Sequence, residues 1–295
     1  MDINLAIARL DWSKEPKGLY EPIGYALAGG GKRLRPKLCL TACRLFGADE
    51  EKALPAALAL EIFHNFTLLH DDVMDHAELR HGKECVHRKW DENTAILSGD
   101  AMLIEAYSLL AQLPSDKLGK TLQLFNQMAT EVCEGQQYDV DNATNDKVTM
   151  DDYMEMIRLK TAVLIATSLQ IGAYLGDADE EQQNTIYRFG TSLGLAFQIQ
   201  DDYLDCFGDP TTFGKTIGGD IREGKKTWLY IAAGGAPDNV PEALALYRAK
   251  KVDQAALNKI RELSDEALAL LDELPQNDET ESLRRLVKKL AARKT

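Results

Sequence analysis

The sequence predicts an all-α protein organised as a single domain. No proline occurs between Pro114 and Pro210, and the apolar residues of that span recur every three or four positions, which is the period of a helix. No alternating run or hairpin signal of a β-sheet competes with this period. The 295 residues also contain no solenoid repeat, low-complexity linker or shift in composition, so we expect one domain over residues 1–295.

Individual helices follow from the same apolar period. We expect helices over residues 34–45, 53–69, 94–113 and 253–274. Residues 154–176 and 188–209 are apolar on most faces, which is typical of central helices packed on all sides. Residues 76–93 and 208–225 are expected to form loops.

Charge and composition exclude several classes of function. A net charge of −13 argues against a nucleic-acid-binding protein, which usually has a basic surface. Five cysteines without paired spacing indicate neither a disulfide framework nor a zinc ribbon, which fits a reducing cytoplasm. The amino-terminal residues do not resemble a secretory signal, and no uninterrupted apolar stretch is long enough to cross a bilayer. We therefore expect a cytoplasmic protein without stable membrane insertion.

Three aspartates, Asp71, Asp72 and Asp75, follow directly on the apolar helix expected over residues 53–69. Positions four apart share one helix face, with Cβ atoms about 6 Å apart, so Asp71 and Asp75 direct two carboxylates at one point. Burying such a pair is unfavourable unless cations neutralise it, and hard oxygen donors suit Mg²⁺. A solvated acidic helix end accounts for one such cluster equally well.

The same spacing recurs in Asp201, Asp202 and Asp205, again at the end of a long apolar helix. Two clusters of this kind favour a metal site over solvated surface. Mg²⁺ held by few carboxylates completes its octahedron with water and substrate phosphates. Basic residues that would otherwise be interpreted as solvated charge then become candidates for binding diphosphates. These candidates are Lys32, Arg33, Arg35, Arg80, Lys160, Lys215 and Lys225.

Six segments, taken in order, resemble the trans-isoprenyl diphosphate synthases, the family of farnesyl and geranylgeranyl diphosphate synthases. The resemblance covers nearly the whole chain. It implies an isoprenoid synthase helical bundle around a deep central pocket, a homodimer, and Mg²⁺-assisted condensation of isopentenyl diphosphate with an allylic diphosphate. The segments are GGKRLRP (30–36), FHNFTLLHDDVMD (63–75), GQQYD (135–139), LKT (159–161), FQIQDDYLD (197–205) and GKTIGGDIREGKKT (214–227).

The resemblance also implies roles for individual residues. The ligands of three Mg²⁺ ions on the allylic diphosphate would be Asp71, Asp75 and Asp201, supported by Asp72, Asp202 and Asp205. That diphosphate would be bound by Arg80, Lys160, Lys215 and Lys225, while Thr161 and Gln198 present oxygens to the developing cation. Isopentenyl diphosphate would be bound by Lys32, Arg35 and His64, with the basic carboxyl-terminal residues Arg293 and Lys294.

Two local features refine this expectation. His81 stands where the family usually has a second arginine that helps to bind isopentenyl diphosphate. The helix before the first cluster resembles the family's pocket wall, and Thr67 and Phe63 lie one and two turns below Asp71, with Phe66 beside them. Each turn rises about 5.4 Å, close to one isoprene unit. The small Thr67 and the large Phe63 therefore favour mainly C20 product with some C15.

Three alternatives remain open at this level. All five histidines lie between His64 and His87, and His70 precedes Asp71, as in an HD-type phosphohydrolase, which would leave the second cluster unexplained. A terpene cyclase would share the fold and the first cluster but usually has Asn and Ser in the second. A non-catalytic subunit or regulator of the same family typically lacks one cluster, whereas this chain keeps both.

Overall fold

The protein is described here by a computed structural model that covers residues 2–208 and 217–292. The chain packs as two compact units, one formed by residues 1–123 and 171–178 and the other by residues 124–170 and 179–295. The expectation of one domain over residues 1–295 stays a prediction.

The first unit is built around one long apolar helix. Its helices are α1 (Ile3–Ala8), α2 (Lys17–Leu27), α3 (Leu34–Leu45), α4 (Leu54–Met74), α5 (Val86–Lys89) and α6 (Glu92–Leu110). A 3-10 turn, Glu50–Ala53, leads into α4, which packs against both α3 and α6. The middle of α4 is fully covered by this packing, since every residue from Ala56 to Phe63 is buried. Burial of this core helix holds its carboxyl-terminal turn, and with it the first aspartate cluster, in place.

A short hairpin interrupts the loop expected over residues 76–93. Strand β1 (Leu79–Arg80) pairs with the antiparallel strand β2 (Lys83–Glu84). His81 and Gly82 form the two-residue turn between them with φ angles of 52° and 76°, as in a type I′ turn. This hairpin was not predicted, because strands of two residues are too short to show alternation.

The second unit contains a second long apolar helix at its centre. Its elements are α7 (Ser115–Ala143), α8 (Met150–Ile157), α9 (Val163–Leu175), α10 (Glu180–Phe207), α11 (Gly219–Arg222), α12 (Trp228–Ala233), α13 (Val240–Ala249), α14 (Val252–Asp272) and α15 (Asp278–Ala291). Helices α7 and α9 also supply residues to the first unit. A π-helical turn, Arg158–Ala162, joins α8 to α9, and α10 packs against this turn and against α14. Asp179 and Gln182 cap the start of α10 reciprocally.

The all-α fold class is confirmed, with 76% of the structure helical. The expected helix at residues 34–45 coincides with α3, and those at 94–113 and 253–274 agree with α6 and α14 to within a few residues. The helix expected at 53–69 runs on to Met74, so the first aspartate cluster is helical and Asp75 caps it.

One helical stretch among the described residues, Met150–Leu175, is by length and composition long enough and apolar enough to cross a membrane. Its apolar run is interrupted by Glu155, Arg158 and Lys160, and 78% of its most apolar part is buried within the protein. Such burial is what a core helix packed on all sides shows, and it agrees with the sequence interpretation of residues 154–176.

Candidate active site

The first aspartate cluster contains one buried carboxylate, Asp72, and two that are less buried, Asp71 and Asp75. The side chain of Asp72 is 6% exposed and accepts a hydrogen bond of 2.9 Å from Nε of Arg80, with a second from Nη2. The same Nη2 lies 3.8 Å from Oδ2 of Asp71, whose side chain is 19% exposed. Burial alone would lower the pKa of Arg80, but its hydrogen bond and charge interaction with Asp72 outweigh burial and raise it. Asp72 therefore holds a charged guanidinium beside Asp71.

Cys85, which the sequence analysis did not assign to the site, also contacts this carboxylate. Its thiol hydrogen-bonds with Asp72, and burial together with the carboxylate charge raises the pKa of Cys85 to about 12. The thiol is consequently protonated and acts as a further donor to Asp72. No local signal in the sequence indicates this contact, since the two residues belong to different elements.

The expected isopentenyl diphosphate residues of the first unit lie together. Nη1 of Arg35 is 2.9 Å from Nε2 of His64. Because a guanidinium can only donate, Nε2 of His64 accepts and its proton resides on Nδ1. Burial lowers the pKa of His64 well below its usual value, and the charges of Arg35, Arg80 and Arg33 lower it further. His64 is therefore neutral near pH 7, and its Nδ1–H remains a donor.

The hairpin turn brings His81 to the glycine-rich turn before α3. Nε2 of His81 lies 3.8 Å from the position that a Cβ on Gly31 would occupy. Lys32, which follows Gly31, is exposed. The positive charge of His81, when protonated, acts on His64. The structure thus brings Arg35 to His64, and His81 to the glycine-rich turn that contains Lys32, all within the first unit.

Arg33 differs from its sequence interpretation as a phosphate clamp. It is buried, and its Nη1 lies 2.6 Å from Oε1 of Glu61, which is 3% exposed. Because its guanidinium is buried and paired with Glu61, Arg33 is not available to bind a phosphate from solvent. It packs beneath the turn instead. The sequence offers no local signal for this pairing, because Glu61 is 28 positions away.

The second aspartate cluster contains two buried carboxylates, Asp202 and Asp205, and one less buried carboxylate, Asp201. Asp202 is buried and accepts three hydrogen bonds, from the hydroxyl of Tyr153 at 2.6 Å, the backbone N–H of Trp228 at 3.0 Å and Nε2 of Gln198 at 3.1 Å. Burial raises the pKa of Asp202 to about 6, although these three donors act to lower it. Asp201 is less buried than Asp202 or Asp205. Tyr153 was missed by the sequence analysis.

Asp205 is held by the chain that enters α11. One of its carboxylate oxygens accepts the backbone N–H of Asp220 at 3.1 Å, and its own carbonyl accepts the N–H of Gly218 at 2.7 Å. Burial, and then the charges of Asp205 and Asp202, raise the pKa of Asp220 well above its usual value. Asp205 therefore organises the polypeptide around the cluster.

The π-helical turn presents Lys160 and Thr161 beside α10 and α7. Nζ of Lys160 lies 2.6 Å from Oδ2 of Asp139, and Oγ1 of Thr161 donates to Oε1 of Gln198 at 2.9 Å. Gln198 in turn donates to Asp202. These contacts connect the GQQYD, LKT and FQIQDDYLD segments, which the sequence analysis could only place in order. Single π turns in α-helices occur frequently at functional sites.

Of the remaining basic candidates, Lys225 lies within the described residues. Lys225 is 43% exposed, and its Nζ lies 2.9 Å from Oε2 of Glu223. Its backbone N–H donates to the carbonyl of Asp220, which places it next to the second cluster. Lys215, Arg293 and Lys294 lie outside the described residues.

The three proposed chain-length residues follow one another along α4. Phe63 is 1% exposed, and its ring lies 5.5 Å from the ring of Phe66. Thr67 is half-buried and donates its hydroxyl to the carbonyl of His64 at 2.8 Å. The ring of Phe66 also lies 4.8 Å from that of His70.

His70 is directed away from the first cluster, toward α6. Its Nε2 lies 3.1 Å from the carbonyl oxygen of Ile96 and 3.8 Å from a carboxylate oxygen of Asp100. A Cβ on Gly99 would lie only 2.4 Å from His70, so the imidazole packs directly over that glycine. An HD-type metal site, in which His70 and Asp71 would act jointly, is not supported by this arrangement.

The donor set of both clusters fits a hard cation. Within residues 2–208 and 217–292, no three His, Cys, Asp or Glu side chains are gathered closely enough to enclose a metal by themselves. Each cluster instead has carboxylates that are less buried than their hydrogen-bonded neighbour, Asp71 and Asp75 in one and Asp201 in the other. Mg²⁺ takes few protein carboxylates and fills its remaining positions with water and phosphate oxygens, so the residues present suit it.

Comparisons with known proteins show the family to which the chain belongs. The family model described as polyprenyl synthetase matches residues 16–264. The geranylgeranyl diphosphate synthase of Methanosarcina mazei is 40% identical over 233 residues, which are 78% of this chain and 72% of that protein. The geranylfarnesyl diphosphate synthase of Natronomonas pharaonis is 37% identical over 249 residues, covering 78% of this chain and 73% of its own.

The fold agrees as well. The crystal structure of geranylgeranyl pyrophosphate synthetase from Pyrococcus horikoshii superposes with a TM-score of 0.93 at 34% identity, covering 99% of this chain and 95% of that one. Members of the matched family generally depend on a divalent metal and act on isoprenyl diphosphates. With an isoprenoid synthase fold, two aspartate clusters and a family match over most of its length, this chain belongs to the polyprenyl synthetase family of prenyltransferases.

Proposed function

We propose that this chain is a short-chain trans-prenyltransferase that condenses isopentenyl diphosphate with dimethylallyl, geranyl and farnesyl diphosphates. The observation that carries the proposal is the division within both aspartate clusters. Asp72 and Asp202 are buried and hydrogen-bonded by protein donors, while Asp71 and Asp201 beside them are less buried. Rigidly held neighbours of this kind orient ligating carboxylates for metal-bound diphosphate.

Three Mg²⁺ ions per active site are proposed, held by Asp71, Asp75 and Asp201. When bound, the metal neutralises the negative charge that develops on the departing diphosphate. Arg80 and Lys160 are proposed to bind that diphosphate. The ion pair of Arg80 with Asp71 and that of Lys160 with Asp139 support the proposal, because both side chains are cationic. Lys225 and Lys215 are proposed to complete this set.

The reaction proceeds by ionisation, condensation and elimination. Cleavage of the allylic C–O bond releases diphosphate and leaves a carbocation. The double bond of isopentenyl diphosphate attacks the carbocation, a proton is then lost to the released diphosphate, and the product is one isoprene unit longer. Oγ1 of Thr161 donates a hydrogen bond to Oε1 of Gln198, and these two oxygens are proposed to stabilise the developing positive charge. No covalent enzyme intermediate is needed, so no nucleophile and base pair is required.

Isopentenyl diphosphate is proposed to bind Lys32, Arg35, His64 and His81. The arginine and the neutral His64 share one hydrogen bond, which leaves the Nδ1–H of His64 as a donor for a phosphate oxygen. His81 supplies a charge there only when protonated, unlike the arginine usual in the family.

The proposed product is mainly C20 with some C15. The buried ring of Phe63 lies one turn below the half-buried Thr67, so the smaller side chain admits one more isoprene unit before the larger one closes the pocket. Chromatography of dephosphorylated products tests this ruler. Thr67→Phe should shorten the product and Phe63→Ala should lengthen it; an unchanged distribution in both variants would remove these residues from chain-length control.

The protein is proposed to be cytoplasmic and to form a homodimer. The apolar surface of α6 supports the dimer. Ile96, Leu97, Ile104 and Tyr107 are exposed on this helix, with Ile104 reaching 68%. An exposed apolar face of this kind marks an interaction surface. Ile104→Asp should convert a dimer to a monomer in size-exclusion chromatography with light scattering, whereas Lys120→Asp, on the exposed part of α7, should not.

A set of incubations separates the proposed activity from its alternatives. The protein is supplied with isopentenyl and dimethylallyl diphosphates, with and without Mg²⁺. A prenyltransferase yields longer allylic diphosphates only with the metal. Release of hydrocarbon from geranyl or farnesyl diphosphate without isopentenyl diphosphate would indicate a cyclase, and the absence of product would indicate a non-catalytic subunit.

A further inference from the structure

We propose that Glu61 is a positioning residue for isopentenyl diphosphate, acting through its buried ion pair with Arg33. The pair holds the glycine-rich turn that carries Lys32 and Arg35. This inference rests on the proposed function, in which Lys32, Arg35 and His64 bind isopentenyl diphosphate. Neither Glu61 nor Arg33 is proposed to touch the substrate.

The ion pair connects three helices of the first unit. Nη1 of Arg33 lies 2.6 Å from Oε1 of Glu61 in the middle of α4, and Nη2 of the same guanidinium donates to the carbonyl of Leu27 at the end of α2. Nδ2 of Asn65 donates to Oε1 of Glu61 at 3.0 Å and to the Glu61 carbonyl at 2.8 Å. Arg33 itself is the residue that precedes α3. One guanidinium therefore ties the two ends of the α2–α3 turn to the core helix.

The backbone of this turn needs such an anchor. Gly30 and Gly31 have φ angles of 89° and 111°, and glycine has the greatest conformational freedom of all residues. Arg33 also has a left-handed conformation, with a φ of 48°, which is unfavourable for a residue with a side chain. Surroundings must over-determine such a conformation for it to persist. The buried ion pair with Glu61 fixes this conformation of Arg33, and it thereby fixes the positions of Lys32 and of the first turn of α3.

Glu61 also sets the charge balance beneath the turn. Burial lowers the pKa of Arg35 to about 10, and the negative charge of Glu61 opposes that fall. Arg35 in turn contacts His64, which lies three positions after Glu61 on α4. The same carboxylate therefore supports both the backbone geometry of the turn and the charged state of the arginine proposed to bind a phosphate.

The test removes the ion pair without leaving a buried charge. Deleting one partner of a buried pair is strongly destabilising, whereas replacing both by apolar residues of similar size is often neutral. The Arg33→Met/Glu61→Leu double variant should therefore melt close to the wild-type temperature. Its KM and calorimetric Kd for isopentenyl diphosphate should rise at least about tenfold, because small displacements of binding groups are costly. The KM for the allylic substrate should not change.

A matched control removes another ion pair, at the carboxyl-terminal end of α3. Arg44 on α3 pairs with Glu50, and neither residue belongs to the proposed site. The Arg44→Met/Glu50→Leu variant should leave both Michaelis constants at wild-type values. Should the Arg33/Glu61 double variant fail to fold, Arg33→Lys decides the question. Its single ammonium is too short to reproduce both arms of the fork, so the KM for isopentenyl diphosphate should still rise severalfold in folded protein.

Lys32→Ala distinguishes failure of the subsite from failure of the positioning. If Lys32→Ala leaves the affinity for isopentenyl diphosphate unchanged, the proposed subsite is wrong. If Lys32→Ala weakens binding but the Arg33→Met/Glu61→Leu variant, or Arg33→Lys in its place, binds isopentenyl diphosphate like wild type, the subsite stands and the positioning role is overturned. A rise in both Michaelis constants together would also overturn it, since that result indicates a general loss of structure.

Discussion

Replacing Gly135 with alanine tests whether close packing of α7 positions Lys160. A Cβ at Gly135 would lie 2.3 Å from the backbone nitrogen of Lys160 and 2.7 Å from the carbonyl carbon of Leu159. The partners are backbone atoms of the π-helical turn, which cannot rotate away as a flexible side chain could. The added methyl group must therefore push α7 and this turn apart.

The size of the effect follows from two opposing contributions. The separation falls about 1 Å short of the 3.4 Å at which ordinary contact begins, and overpacking of this kind typically destabilises by about 1–3 kcal/mol. Alanine in place of a mid-helix glycine contributes about 0.5–1 kcal/mol of stabilisation. We expect a net destabilisation of roughly 1–2 kcal/mol. The contact between Lys160 and Asp139 should move by a similar distance, lowering kcat/KM for the allylic substrate by up to about a hundredfold.

Gly119 provides the matched control on the same helix. Apart from the backbone of its own helical turn, no atom of the described residues lies within 4 Å of a Cβ at Gly119. Gly119→Ala should therefore retain full activity and gain about 0.5–1 kcal/mol. Urea denaturation and steady-state kinetics with varied allylic substrate measure both variants. Equal stability and activity of Gly135→Ala and Gly119→Ala would refute the argument that the π-helical turn is held by this contact.

The remaining predictions concern the two clusters and the hairpin turn. Asp71→Ala or Asp201→Ala should lower kcat by more than about a hundredfold with unchanged circular dichroism, since each removes a proposed metal ligand; activity within about tenfold of wild type in both would contradict the metal assignment. Tyr153→Phe should destabilise the fold by about 1.5–3 kcal/mol and lower kcat about tenfold, because it deletes a donor to a buried carboxylate; denaturation and kinetics that match wild type would show that this hydroxyl is dispensable. His81→Arg should lower the KM for isopentenyl diphosphate more at pH 8 than at pH 6, because only the imidazole loses its charge over that range; no change at either pH would place His81 outside the site.

Local periodicity determined the helices and where the aspartates stand on them. Helix α3 was predicted at its observed bounds, and the apolar segments before Asp71 and Asp201 are the core helices of the two units. The prediction succeeds because the apolar residues that a helix buries recur three and four positions apart in the sequence. The resemblance of six ordered segments to a known family was likewise present in the chain itself, and the family is confirmed.

Short elements and turns were not predictable in the same way. The hairpin of β1 and β2 has two residues in each strand, and its turn depends on left-handed conformations at His81 and Gly82. The π-helical turn that carries Lys160 contains no glycine or proline that would mark a change from the helix around it. Neither leaves a periodic signal, because each is stabilised by neighbours that lie elsewhere in the chain.

The amino-acid sequence by itself determined which residue types are available to the site, and the tertiary structure decided what each one does. Sequence spacing places Asp71 and Asp75 on one helix face, but it does not show which carboxylates are held by protein donors. Tyr153, 49 positions from Asp202, holds that carboxylate, and Arg80 holds Asp72. Arg33 is of a residue type that often binds phosphate, but in the structure it is paired with Glu61 beneath the turn. The physical reason is common to these cases. Whether a charged group is buried and paired depends on partners that only folding brings within hydrogen-bonding distance.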